Sequence, residues 1–300
     1  MHSTRGKSVS VRFALPASEL RPFVTTYYCT EVVCEAGEWL EDYLHPEWAN
    51  FRFLSKVAAE GAIGSDSLAP SPALTITGPT SRATRFRMSA GRAWGIGLLP
   101  LGWASFVPEN AGDYADRYVD ERMDPAFAAF VPLADALASS SGDFAEEQAL
   151  IEQHMARLFA KQLRPDPAIR ALNDALVDPE LASVADLTQR LGMNVRSLER
   201  LSNRAFGFSP KLLLRRQRFL RSLARFMLDP SLKWLSAIDY HYHDQSHFVR
   251  DFRRFMGMSP SAYAKLEKPL LVAAARARME AAGAAVQGLH QPGGINCAPD

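Results

Sequence analysis

Cysteine is scarce in this chain. The three residues Cys29, Cys34 and Cys297 show no paired CxxC spacing. That excludes a disulfide framework or a cysteine-built zinc site as the organising device. It fits thiols kept reduced, with redox sensing through Cys29 and Cys34 as the minor alternative. Long apolar runs are also missing: no stretch approaches eighteen uninterrupted apolar residues, so no membrane span is expected. Residues 1–7 lead into no apolar segment of signal-peptide length, and a cytoplasmic location is the expectation. Net charge is nearly absent at +1, which by itself points to no partner. Catalytic signatures are absent as well. There is no nucleophile elbow, no P-loop, no GxGxxG after a strand and no HExxH, so neither an enzyme nor a bound cofactor is expected.

What is present is a charge asymmetry hidden by that small total. From Arg190 to Lys265 there are fifteen Lys/Arg against five Asp/Glu. One basic segment therefore balances an acidic remainder, the pattern of a polyanion-binding part joined to one that avoids polyanions. Three hundred residues allow two domains with a core in each.

Within the basic segment, residues 243–260 read as a short capped helix. Asp244 is a good N-cap, and Phe248, Phe252 and Phe255 recur at helical spacing. Ser246, Val249, Arg250, Arg253 and Arg254 fall opposite that apolar stripe. Gly257 suits a left-handed cap, and Pro260 blocks continuation. Fifty residues upstream the pattern recurs. Arg200 matches Arg250, Arg204 matches Arg254, Gly207-x-Ser209-Pro210 matches Gly257-x-Ser259-Pro260, and Leu198 stands for Phe248. A lone basic amphipathic helix is as well explained by a solvated surface. Two copies, the first preceded by a helix over residues 183–191 that stops at Gly192, outline a helix-turn-helix repeated once.

The second unit has the form Asp244-Gln245-Ser246-His247-Phe248-x-Arg250-x-Phe252-Arg253-Arg254-x-x-Gly257-x-Ser259-Pro260-x-x-Tyr263. With the first unit and a long linking helix over residues 210–228, it resembles the DNA-binding domain of AraC/XylS-type transcriptional regulators. The resemblance covers residues 166–265. It implies two recognition helices entering successive major grooves about 10 base pairs apart, over a site of roughly 15–20 base pairs. By position Arg196, Glu199 and Arg200 face bases in the first unit, and Gln245, Ser246, Val249 and Arg250 in the second. Arginine forks onto guanine, glutamine reads adenine, and Glu199 accepts from cytosine or orients Arg196. Arg204, Lys211, Arg215, Arg253 and Arg254 are assigned to phosphate.

Two positions depart from the family pattern. His241 stands where the turn of the second unit has a glycine, which predicts a strained left-handed backbone. Ser236 stands where a buried aliphatic residue is usual, which predicts a weaker core. His241, His243 and His247 also raise a metal reading, but three histidines across a turn and a helix start are a weak ligand set. A repair regulator of the Ada type is rejected because three scattered cysteines cannot build its four-cysteine site.

Residues 10–100 read as mostly strand, with candidates at 23–30, 51–54, 74–77, 84–88 and 93–99 and breaks at 61–71, 78–79 and 89–91. Short strands between turns predict a β-barrel or sandwich. The opening Leu15-Pro16-x-x-Glu19-Leu20-Arg21-Pro22-Phe23-Val24-x-x-Tyr27 and Gly78-Pro79 resemble the start of the effector domain in one branch of the same family. Trp48, Phe53, Trp94 and Trp103 are candidates to line a ligand pocket, with core packing the plainer reading. Helical composition follows at 111–118, 124–137 and 144–163. In the last, Leu150, Ile151, Met155, Leu158 and Phe159 form a stripe that packs on the β-domain or, in the sharper reading, on a second copy. Arg164-Pro165-Asp166-Pro167 marks a domain joint.

The expected architecture is α+β. A β-rich effector or dimerisation domain with a helical end occupies 1–163, an all-α double helix-turn-helix occupies 166–265, and a tail over 266–300 is helical at 269–286 and disordered from 287. Expected partners are double-stranded DNA, a small-molecule effector, RNA polymerase and a second copy, and no membrane. The competing function is an interaction module whose DNA binding has become degenerate and non-specific.

Overall fold

The computed structural model describes residues 7–120, 124–161, 166–228 and 234–291. Among the described residues, ten antiparallel strands form two sheets. The larger has the order β1 (Ser8–Ala14), β2 (Val24–Val33), β9 (Gly91–Leu98), β4 (Asn50–Lys56), β7 (Leu74–Thr77) and β10 (Tyr118–Asp120); the smaller has β3 (Leu40–Leu44), β8 (Thr84–Met88), β5 (Ala59–Ile63) and β6 (Ala69–Pro70). β2, β4, β7 and β9 are the β-branched and aromatic runs, and β2, buried nearly throughout, pairs Cys29 with Trp94 of β9. β5 runs into the expected break at 61–71. It survives there because Gly61 passes the Tyr118 ring so closely that a Cβ would stand 2.5 Å from the hydroxyl, a backbone approach that only glycine permits.

Helices follow the sheets. α1 (Pro100–Phe106) was not evident in the sequence. The helix expected at 111–118 is a single 3-10 turn, Ala111–Tyr114, followed by β10. Its continuation is prevented at Asp116, the one non-glycine residue at positive φ (55°) among the described residues. Its carboxylate is held by the Ser81 amide at 2.6 Å and the Ser81 hydroxyl at 2.7 Å. A 3-10 turn, Pro125–Phe130, leads into α2 (Val131–Ser139), and α3 (Phe144–Ala160) completes the N-terminal half.

The α3 stripe faces inward. Ile151 and Met155 are fully buried, and Phe159 meets the Phe23 ring edge-on at 5.3 Å. Glu147 on the same helix is almost fully buried against the large sheet. It accepts from Trp94 Nε1 at 2.5 Å and pairs with Arg92 at 2.8 Å and Lys56 at 3.2 Å. Burial alone would raise its carboxyl, but these donors outweigh it and hold the group below the usual range.

The C-terminal half contains α4 (Pro167–Val177), α5 (Val184–Leu191), α6 (Val195–Phe206), α7 (Pro210–Leu228), α8 (Trp234–Ala237), α9 (Gln245–Met256), α10 (Pro260–Lys265) and α11 (Pro269–Ala282). Asp166 of the expected joint caps α4 through the Ala168 amide, and Pro167 takes the first helical position. Residues 162–165 lie outside the described residues.

The halves share a core. One buried cluster runs from the large sheet through α1 and α2 into α4, α5 and α6; a second joins α7, α9 and α10 with α11 and Ala83 of the β-half. The tail is more ordered than its composition predicts. After α11, Gln287–Leu289 form a 3-10 turn, and Gln287 and His290 are buried. The disorder expected from 287 therefore does not hold through 290, because Gln287 finds partners at Asn50 and Ala49. Residues 292–300 lie outside the described residues.

Candidate nucleic-acid interface

α6 and α9 are local duplicates in structure as well as in sequence. Asn194 and Asp244 each accept the amide three residues on, from Ser197 at 2.9 Å and His247 at 2.7 Å. Gly207 (φ 81°) and Gly257 (φ 71°) stop the two helices in left-handed caps, their amides donating to the Asn203 and Arg253 carbonyls. The apolar faces bury Leu198, Leu201, Ala205 and Phe206 in α6, and Phe248, Phe252, Phe255 and Met256 in α9. At about 1.5–3 kcal/mol for each large side chain removed from water, these stripes fix which face stays outside.

On that outer face, Arg196, Glu199 and Arg200 are exposed, as are Gln245, Ser246 and Arg250; Val249 is half-buried against the core. Arg253, Arg254 and Lys211 are exposed as well. Arg204 is exposed but pairs with Asp166 at 2.8 Å, tying α6 to the start of α4.

Arg215 has a different occupation from the phosphate contact expected of it. It pairs with the buried Asp251 of α9, whose other carboxylate oxygen accepts from the Tyr242 hydroxyl at 3.1 Å. The pair fastens the second reading helix to the linking helix. Asp251 carried no signal in the sequence, being one acid among the basic residues of α9.

The turn of the second unit avoids the strain expected of His241. That residue is absent from the positive-φ positions. Instead the Asp239 side chain organises the turn, accepting from the His241 amide at 3.0 Å and from Arg221 Nε at 2.5 Å. The Asp239 amide donates to Ser222 Oγ at 2.9 Å, and Arg218 donates to the His241 carbonyl at 3.1 Å. Burial would raise the Asp239 carboxyl, but the Arg221 and His241 bonds hold it below the usual range. A side-chain turn anchored on α7 replaces the glycine. Ser236, where a core defect was expected, is exposed, and the next residue, Ala237, is fully buried.

The histidines do not converge. His243 and His247 stack with ring centroids 6.3 Å apart, while His241 is bound to Asp239. Among the described residues no group of three or more His, Cys, Asp or Glu is placed to hold a metal ion. Of the four aromatic pocket candidates, Trp48, Phe53 and Trp103 are core residues, and Trp94 alone lines the cavity between the sheets and α11. Trp48 packs edge-on to Phe206 of α6, and the Arg216 guanidinium of α7 lies 3.7 Å above its ring. Arg216 also donates to the Thr80 carbonyl at 2.9 Å. It is fully buried, and burial lowers its pKa to about 9, so it remains charged at neutral pH. Sequence reading missed it because one arginine among many on α7 has no distinguishing spacing.

Two capped helices with matched exposed faces, anchored to one linking helix, have the geometry of a repeated helix-turn-helix. Residues 187–266 match the family model described as a helix-turn-helix domain. No curated protein matches the chain significantly. Similar solved structures include ToxT from Vibrio cholerae in its P21 form, with 11% identity, 87% of this chain and 98% of that chain covered, and a TM-score of 0.42. An apo ToxT variant from Vibrio cholerae strain SCE256 overlaps at 12% identity, 88% and 98% coverage and TM-score 0.40. The AraC-like transcriptional activator CuxR overlaps at 14% identity, 72% and 87% coverage and TM-score 0.29. Among the described residues no helix is long and apolar enough to cross a membrane.

Proposed function

We propose that the chain is a sequence-specific transcription regulator in which residues 166–265 read DNA and the β-rich half, residues 1–163, senses a small-molecule effector. The observation that carries this reading is the exposure of Arg196 and Arg200 on α6 and of Gln245 and Arg250 on α9, all in the first two turns of helices with matching caps. Those turns are the ones a recognition helix presents to base edges. Arg253, Arg254 and Lys211 supply the phosphate contacts that hold register. Effector control is supported by the shared cores of the two halves: Trp48, in the loop before β4, packs on Phe206 and Arg216 and so connects the β-half to both α6 and α7. A ligand that favours one arrangement of the β-half thereby shifts the population of reading-competent orientations.

The test is a competition experiment at about 150 mM salt, with labelled promoter fragments from the host genome challenged by bulk DNA. A sequence-specific regulator retains its fragment against a large excess of bulk DNA, since specific sites bind roughly 10³-fold or more tighter than non-specific ones. Equal displacement by both competitors would favour the alternative, an interaction module with degenerate DNA binding.

A further inference from the structure

The segment that follows the reader returns to the β-half and closes it. α11 lies along β1 and against β3, and it also touches α7. Asp42 of β3 caps it, accepting the Leu270 and Leu271 amides at 2.9 Å each. Beyond α11, the Gln287 side chain bonds Asn50 of β4, and Gln217 of α7 donates to the Gly288 carbonyl at 2.7 Å. A Cβ at Gly97 would stand 2.6 Å from Gln287 Nε2, and one at Gly288 would stand 2.5 Å from Leu220. The segment is thus fitted between β9 and the linking helix.

Under it lies a cavity of about 150 Å³. Its walls are mostly apolar, with Phe13, Leu54, Phe86 and Met88 from the sheets and Leu271 and Ala274 from α11. Arg278 of α11 completes the wall. Its Nη2 donates to Thr26 Oγ1 at 2.8 Å, and its guanidinium lies 5.1 Å from the centre of the Phe13 ring. Nη1 is buried with no hydrogen-bond partner. The acids nearby are engaged elsewhere: Glu47 pairs with Arg52, and Glu60 with Arg87. Burial lowers the Arg278 pKa to about 10, with Tyr28 and Glu47 opposing the shift, so the side chain stays cationic at neutral pH. A buried charge with neither a carboxylate partner nor a full set of acceptors is costly. It is the kind of group that a ligand's anion relieves.

We infer that the cavity between the β-half and α11 is a binding site for a small apolar monoanion, its charged end on Arg278 and its body between the sheets and α11. The site deepens the effector reading above and rests on it only for the regulatory consequence. An apolar cavity of about 150 Å³ admits a molecule of benzene size, so a benzoate-sized acid fits and a large polyanion does not. Because Arg278 is covalently continuous with the reader and its segment abuts α7, occupancy acts on the linking helix directly.

The experiment is calorimetric titration of the full chain, without DNA, with benzoate, hexanoate and benzenesulfonate, each beside a neutral partner such as benzamide. Saturable binding of at least one anion, tenfold or more tighter than its neutral partner, is expected. Arg278→Gln should erase that preference. Ala274→Leu, which narrows the cavity and leaves the arginine in place, should weaken anion and neutral partner together. Circular dichroism confirms that both variants fold. Equal affinity for charged and neutral forms, an unchanged preference in Arg278→Gln, or no saturable anion binding at millimolar concentration would overturn the site. DNA competition by the same ligand-free protein separates this outcome from failure of the DNA-reading proposal.

Discussion

His45 offers the sharpest test of how the two halves are held together. It lies at the end of β3, almost fully buried, with Nε2 2.8 Å from the hydroxyl oxygen of Tyr263 on α10. The same hydroxyl oxygen lies 3.2 Å from Met227 Sδ. Burial, reinforced by the positive charge of Lys268, lowers its pKa from 6.5 to about 3. A histidine depressed in the folded state contributes stability that is fully present above its unfolded pKa and lost as pH falls through the interval toward the folded value. The window here runs from 6.5 down to about 3. At pH 5 the unfolded chain gains about 2 kcal/mol from protonating this group, at about 1.36 kcal/mol per pKa unit. Denaturant unfolding of the wild type and of His45→Gln, which keeps a donor without a titratable ring, should be compared at pH 7.5 and pH 5. The wild type should lose about 2 kcal/mol more than the variant between the two conditions. Equal losses would refute the claim that a neutral His45 ties β3 to α10.

Other consequences are open to measurement. Replacing Arg253 and Arg254 together by Ala should lower the slope of log affinity against log salt by about 0.9 for each phosphate no longer neutralised, read from DNA titrations between 50 and 200 mM salt. An unchanged slope would remove them from the phosphate set. Asp251→Ala leaves Arg215 and Tyr242 without their shared acceptor and should destabilise the chain by about 3 kcal/mol; denaturation showing less than about 1 kcal/mol would contradict the fastening role. Gly257→Ala should cost about 1–2 kcal/mol for left-handed backbone strain, since no atom lies within 4 Å of the added carbon. Gly207→Ala should cost more, because its carbon would stand 2.7 Å from Pro79; comparable values for the two glycines would show that the α6 end yields freely.

The C-terminal elements were legible because each is encoded locally. Caps at Asn194 and Asp244, left-handed glycines at 207 and 257, and apolar residues at helical spacing specify α6 and α9 without help from the rest of the chain. The strands 24–33, 50–56, 74–77, 84–88 and 91–98 announced themselves by β-branched and aromatic content. What escaped was set by long-range partners. β5 depends on Tyr118 lying over Gly61, and the reversal at Asp116 depends on Ser81. The turn at His241 depends on Arg218, Arg221 and Ser222, a helix away. The order at Gln287 depends on Asn50, 237 positions earlier. Arg216, Arg278 and Asp251 owe their importance to burial, which residue type does not disclose. The residues assigned to bases lie on the outer face, with Val249 at its edge, since helical geometry determines face from spacing; Arg215 differed because its partner Asp251 is buried across the interface with α7.

The central claim is that both helices read bases, and selection of bound fragments from the host genome tests it most directly. Wild type and the Arg200→Ala/Arg250→Ala double variant should be compared at one salt concentration. Each arginine forked onto guanine is worth about 1–3 kcal/mol of discrimination. Wild-type enrichment of a shared motif in two half-sites about 10 base pairs apart, lost in the variant, is the predicted result. Recovery of the same fragments by both proteins, with the same salt dependence, would show that these arginines touch only phosphate and would contradict the account.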